Sequence, residues 1–310
     1  MSELIYSMDG INKHQIGDFM QFPNNALQCA TRLNTPTMTD LPPSPVLKLP
    51  KKLIKTAIKT MARYRMINEG DRVLLGVSGG KDSLTLLHIL RHVQKHAPFS
   101  FELAAITIDP QVETFSPAAL KDYMAKLGVT YHYVEAPIVE LANEHMRGDS
   151  YCAFCARMKR GLMYKTAREL GYNVLALGQH LDDIAESFLM SAFHGGKLNT
   201  MKLHYLNDAD DVRIIRPLGF VRERQLRDFA LDAKLPVIIE NCPACFSKPT
   251  ERQRLKLLLA DEESQHAMLF KSLSQALRPI MEDGLERAIA AIPAASHAGR
   301  TSFLDVAITP

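Results

Sequence analysis

The chain has 310 residues, 46% of them hydrophobic and 23% charged, a globular balance that permits one large domain or two small ones. Its net charge of +3 is too small to demonstrate a nucleic-acid partner, so any basic surface must be local. The opening MSELIYSMDG lacks a basic stretch followed by an apolar run, and no apolar run approaches the roughly 18 residues of a membrane span; a cytoplasmic protein without a membrane partner is expected.

Residues 1–46 are polar and irregular and run into the proline-rich LPPSPVLKLP, which reads as a loosely ordered extension. From Leu47 to Met66 the pattern is helical, and Lys48, Lys52, Lys55 and Lys59 fall at helical spacing as one basic stripe. Strands are then expected over Arg72–Val77, Phe101–Ile108, Thr130–Val134 and Asn173–Leu177. The helices between and after them are predicted over Asp82–Val93, Pro117–Leu127, Arg157–Leu170 and Asp182–Phe193. A strand at Val212–Ile215, a helix at Arg222–Ala233 and a strand at Val237–Ile239 follow. Strands separated by helices mean βαβ units and a parallel sheet covered on both faces. Ligands of such sheets bind outside the carboxyl ends of the strands, where every motif below lies.

The sharpest motif is Ser78-Gly79-Gly80-Lys81-Asp82-Ser83, between a strand and a helix. Two glycines let the backbone turn tightly and approach a ligand. The free N–H groups of the helix start favour an anion. Ser78 and Ser83 can donate hydroxyl hydrogen bonds, and Lys81 can neutralise phosphate charge. It is neither a Walker A loop nor a G-x-G-x-x-G turn. SGGKDS is similar to the SGGxDS signature of the PP-loop ATP pyrophosphatases. That resemblance implies that the loop grips the pyrophosphate released when ATP adenylates a substrate.

Four of the five cysteines form two C-x-x-C pairs, Cys152/Cys155 and Cys242/Cys245. In a cytosolic chain this points to metal or redox chemistry. A structural zinc site, a thiol–disulfide switch and an iron–sulfur site are all open on spacing alone. Between the pairs, Asp182 and Asp183 sit at a helix start. They either cap the helix or handle magnesium and substrate beside the ATP phosphates.

As an ordered set, SGGKDS, CAFCARMKRG, GQHLDD, GGK, RPLGFVRER and CPAC resemble the tRNA 2-thiocytidine synthetase family and its relatives that thiolate tRNA uridines. The resemblance spans roughly Leu47 to Leu259. Departures are Gln179, Leu181 and Phe246. The implied fold is α/β, a parallel-sheet Rossmann-like PP-loop domain (adenine nucleotide alpha hydrolase-like) with helical extensions. Residues 1–46 would form the extension, 47–259 the catalytic domain with both cysteine pairs, and 260–310 a helical C-terminal extension and tail. The implied activity is adenylation of a pyrimidine C2 oxygen and its replacement by sulfur, with 2-thiocytidine in tRNA the first expectation and 2-thiouridine the alternative. The implied cofactors are ATP, Mg2+ and a 4Fe–4S cluster held by Cys152, Cys155 and Cys242, leaving Cys245 spare. Lys81, Lys159 and Asp183 would be catalytic, and Ser78–Ser83 would bind ATP. The implied partners are tRNA and a sulfur donor such as a cysteine desulfurase or free sulfide, with a homodimer allowed. The rivals are another adenylating PP-loop enzyme and a zinc-stabilised nucleotide-binding module.

Overall fold

The computed structural model describes residues 47–112, 117–145, 151–238 and 250–293. The N-terminal extension, Cys242, Cys245 and Phe246 lie outside the described residues.

Helix α1 (Lys51–Arg63) buries Leu53, Ile54, Ala57, Ile58 and Met61 and leaves Lys51, Lys52, Lys55 and Lys59 exposed. This is the amphipathic split expected of a 3.6-residue period. Then come β1 (Arg72–Gly76), α2 (Lys81–His96), β2 (Glu102–Asp109), α3 (Ala118–Leu127), β3 (Thr130–Glu135), α4 (Ile138–His145) and α5 (Tyr151–Leu170). They are followed by β4 (Val174–Ala176), α6 (Leu181–Gly195), β5 (His204–Leu206), β6 (Arg213–Ile215) and α7 (Glu223–Asp232). The C-terminal part is helical, as α8 (Glu251–Gln265), α9 (Leu269–Ala276), α10 (Arg278–Met281) and α11 (Leu285–Ala290).

The strands form one sheet in the order β3-β2-β1-β4-β6-β5, parallel except for the antiparallel β5–β6 pair. Strand order reverses beside β1, the switch point at which α/β sheets bind ligands. One apolar cluster joins the sheet to α1, α2, α3 and α7 through Leu53, Ile58, Leu86, Leu90, Met124 and Leu226. The other face packs Met163 and Ala167 of α5 against Leu74, Ile106 and Leu175. Near-continuous burial of the short central strands β1, β4 and β6 is what coverage on both faces requires.

The expected parallel sheet is present, with β5 added as one antiparallel edge strand. Two other sequence expectations are corrected. Helix α5 starts at Tyr151, so the first cysteine pair lies within its opening turns rather than in a preceding loop. Val237 and Ile238 belong to no strand; Ile238 instead donates a single backbone hydrogen bond to Gly79.

Candidate active site at the carboxyl edge of the sheet

Strand β1 ends in an apolar run that carries the chain to the carboxyl edge. There Val77 is held by its N–H to Ile106 and by the Thr107 hydroxyl on its carbonyl. The turn that follows is built by its own serines. Ser83 Oγ receives the Ser78 N–H at 3.2 Å and donates to the Gly80 carbonyl at 3.0 Å, while Gly80 N–H donates to Ser78 Oγ at 3.2 Å. Gly79 has φ +87°, open to glycine at little cost, and a Cβ there would also stand 3.0 Å from Ile238. Gly80 precedes α2 with no side-chain cap, leaving the helix-start amides without one. A glycine-built turn opening a helix N-terminus is an anion cradle.

Lys81 reaches from this turn to Asp82 Oδ2 at 3.2 Å and Glu223 Oε1 at 3.1 Å. Burial alone would lower the pKa of its ammonium, but the two carboxylates outweigh burial and hold it above the ordinary lysine value. Asp82 is raised as well, here by burial, against the opposing pull of His180 and Lys81. Its Oδ1 is buried with no hydrogen-bond partner among the described residues.

The start of α6 closes against the same turn. His180, buried, is its N-cap: Nδ1 accepts from the Asp183 N–H at 3.3 Å, and Asp183 Oδ2 accepts from the His180 N–H at 3.1 Å. His180 Nε2 lies 3.8 Å from Asp82 Oδ2, joining the two helix starts. The two acidic residues take different places. Asp182 is engaged by the Arg222 guanidinium and by the Glu223 N–H. Asp183 caps α6 and faces Arg252 at 3.4 Å.

Sequence reasoning missed Glu223, which sits 142 positions from Lys81 and touches it. RPLGFVRER was visible as a motif, but no spacing rule pairs its glutamate with the loop. Burial would raise its carboxyl; Lys256 and Lys81 overcome this and hold it down at about 2.

Cys152 and Cys155 are three residues apart in the first turns of α5, so their positions share one helix face. Helix α5 leads directly into β4, and a helix that returns the chain to the start of a parallel strand runs back across the sheet, which sets the N-terminal end of α5 at the carboxyl edge. Cys155 is half-buried against the apolar cluster beneath α5. A half-buried cysteine thiol is a soft donor of the kind that thiolate-bound metal centres use. Lys159, half-buried, lies one turn beyond Cys155. The structure brings Lys81, Asp82, His180, Asp183 and Glu223 together; the third expected thiolate, Cys242, lies outside the described residues.

Several basic side chains outside α1 are internally paired. Arg168 meets Asp211, Arg222 meets Asp182 and Glu263, Arg227 meets Asp228, Arg252 meets Glu186, Arg254 meets Glu251, and Lys256 meets Glu223. Lys51, Lys52, Lys55 and Lys59 on α1 are exposed and make no ion pair with the described residues. No helix among the described residues is long and apolar enough to cross a membrane.

The family model described as a PP-loop domain matches residues 50–256. A tRNA-cytidine(32) 2-sulfurtransferase of Geobacter sulfurreducens is 40% identical over 228 residues, covering 73% of this chain and 89% of that protein. Its counterpart in Aliivibrio salmonicida is 37% identical over 240 residues, covering 77% of this chain and 78% of that one. Among solved structures, the U34-tRNA thiolase NcsA from Methanococcus maripaludis with its 4Fe–4S cluster superposes with a TM-score of 0.63. The identity is 24%, over 75% of this chain and 78% of that one, a likeness of fold. Matches of that extent establish that the chain belongs to the PP-loop family and, within it, to the tRNA-cytidine(32) 2-sulfurtransferase family.

Proposed function

We propose that the chain is an ATP-dependent tRNA sulfurtransferase that adenylates the C2 oxygen of a cytidine in tRNA and replaces that oxygen with sulfur. The observation that carries the reading is the Ser78–Ser83 cradle, with Lys81 at its mouth and the α5 cysteines at the same edge of the sheet. A pyrimidine C2 carbonyl is a poor electrophile whose oxygen leaves badly. Attack of that oxygen on the α-phosphorus of ATP expels pyrophosphate and converts it into part of an AMP leaving group. A sulfur nucleophile then adds to C2, and AMP departs with the oxygen.

The residues take the following roles. The loop amides of Gly79–Ser83 and the Lys81 ammonium hold the β- and γ-phosphates and stabilise charge developing on pyrophosphate. Asp82, with its unpartnered Oδ1, and Asp183 would hold Mg2+. Lys159, on the helix that carries the cysteines, steers the adenylate. Cys152, Cys155 and Cys242 would hold a 4Fe–4S cluster, which would supply a site for binding exogenous sulfur. The donor is a cysteine desulfurase or free sulfide, and the site of action is the cytoplasm. The exposed Lys51, Lys52, Lys55 and Lys59 supply phosphate contacts for tRNA.

Two measurements test the reading. Turnover must release AMP and pyrophosphate; ADP and phosphate would overturn adenylation. Nucleoside analysis of tRNA from a deletion strain must lack 2-thiocytidine. Loss of 2-thiouridine instead would move the target base, and an unchanged thionucleoside set would remove tRNA thiolation altogether.

A further inference from the structure

A chain of alternating charges runs from the phosphate loop to α8, and the roles above do not use it. Lys81 Nζ lies 3.1 Å from Glu223 Oε1. The same carboxylate receives Lys256 Nζ at 2.8 Å on Oε1 and 2.7 Å on Oε2. Glu223 is the first residue of α7, and its N–H donates to Asp182 Oδ2 at 2.8 Å. Asp182 is in turn forked by Arg222, which also grips Glu263 of α8 and lies 3.3 Å over the Phe270 ring. The backbone of Glu223 is therefore held at its N–H by Asp182, which Arg222 in turn holds in place. The Lys81 and Glu223 side chains are 27% and 22% exposed, so water screens their interaction little.

A loop that receives a polyanion must present its lysine with the charge available. A carboxylate 3.1 Å from that ammonium would cancel the charge and repel a phosphate if it stood alone. Lys256 changes the balance at Glu223: two ammoniums share that carboxylate, while Asp82, 3.2 Å from Lys81, stays as the loop's own counter-charge whether or not Glu223 lets go. When a phosphate oxygen takes over Lys81, the Glu223 carboxylate keeps a full partner in Lys256 and is not left as an uncompensated half-buried charge, the costly outcome.

We propose that Glu223 is a positioning residue that stands in for phosphate at Lys81 while the loop is empty, and that Lys256 is the cation to which Glu223 passes when the nucleotide arrives. The proposal rests on the reading of Ser78–Ser83 as the ATP phosphate site. It gives the two residues opposite signs. Removing the Glu223 charge strengthens ground-state binding of polyphosphate but lets Lys81 wander, slowing chemistry. Removing the Lys256 charge leaves Glu223 facing the phosphates and weakens binding, although Lys256 need not touch them.

The test is calorimetric titration of the full chain with MgATP and with inorganic pyrophosphate, alongside steady-state turnover with tRNA. Glu223→Gln is expected to bind pyrophosphate about threefold to tenfold more tightly while kcat and the KM for ATP both fall. Lys256→Gln is expected to bind it more weakly by a similar factor, and the double variant to regain the affinity of Glu223→Gln. A purely structural role would weaken binding in both single variants and add in the double. Weakened or unchanged binding in Glu223→Gln, or an unaffected Lys256→Gln, overturns the handover. Should Glu223→Gln fold poorly, Lys256→Gln decides alone, since that lysine is 46% exposed. Lys81→Ala separates the two levels of the argument. If it leaves MgATP affinity intact, the loop reading fails; if it weakens affinity without the opposed signs, only the handover fails.

Discussion

Gly178, two residues beyond β4, faces the backbone of Ser83 at the start of α2: a Cβ on Gly178 would lie 3.2 Å from both Ser83 Cα and Ser83 N. The neighbour is backbone, so it cannot rotate away as a side-chain tip would. The glycine thereby sets how closely the loop after β4 approaches the phosphate cradle, and with it the 3.8 Å spacing of His180 and Asp82.

Gly178→Ala is therefore expected to displace the first turn of α2 and not the sheet. Overpacking of this kind costs about 1–3 kcal/mol. Thermal melting should fall by several degrees while far-ultraviolet dichroism is retained, and MgATP affinity should fall at least about tenfold. Unaltered affinity would show that the loop tolerates the shift and that the close approach is only packing.

Much of the core of this site was legible in the sequence because its causes are local. Glycines and serines at fixed offsets after an apolar strand specify a turn whose hydrogen bonds stay within six residues. What escaped was set by distance. Lys81 and Glu223 meet only because α2 and α7 pack side by side, and no pattern within either segment announces it. The edge strand His204–Leu206 has three residues, and only His204 is buried outright, too short for a period to register. Val237 and Ile238 have strand-like composition, yet the hydrogen bond of Ile238 goes to Gly79 and not to a ladder. Arg222 illustrates the same limit: nothing in the residues around it announces its place between Asp182, Glu263 and the Phe270 ring.

The exposed lysines of α1 carry the next prediction. Lys52→Glu with Lys55→Glu should weaken tRNA binding and flatten its dependence on salt, because each lost phosphate contact releases fewer counterions. Both side chains are exposed and unpaired among the described residues, so melting temperature and MgATP affinity should not move. Filter binding at two salt concentrations measures it; a tRNA affinity equal to the wild type at both would assign tRNA to another face.

The cysteines are expected to divide three to one. Cys152→Ala, Cys155→Ala and Cys242→Ala should each lose iron and the broad visible absorbance after anaerobic reconstitution, while MgATP affinity survives. Cys245→Ala should retain both. The reason is stoichiometric: ligation by four cysteines leaves no open iron position, and two pairs supply one thiolate too many for a site that must accept exogenous sulfur. Equal loss of iron from Cys242→Ala and Cys245→Ala would indicate four-cysteine ligation and end the open-position mechanism.

Two buried imidazoles make stability depend on pH. His88 has its Nε2 2.7 Å from the Tyr123 hydroxyl, and burial followed by the nearby Arg91 pulls it down to about 4. His204 has its Nδ1 2.8 Å from the Tyr64 carbonyl and is likewise pulled down to about 4, chiefly by burial. In the unfolded chain both titrate near 6.5. Between pH 6.5 and 4 the unfolded state therefore binds protons that the folded state refuses, and stability falls as pH falls through that window. At pH 5 the loss is at most roughly 2 kcal/mol per imidazole. Asp82 and Glu186, whose carboxyls burial raises, act in the opposite sense, so their effect partly offsets the imidazoles toward the acidic end. Urea midpoints measured from pH 7.5 down to 5 should decline in the wild type and decline less in His88→Gln, which keeps a polar group for Tyr123 but cannot take up a proton. Parallel curves for the two proteins would mean that His88 takes up its proton over the same pH range folded and unfolded, so that its burial has no part in the pH dependence.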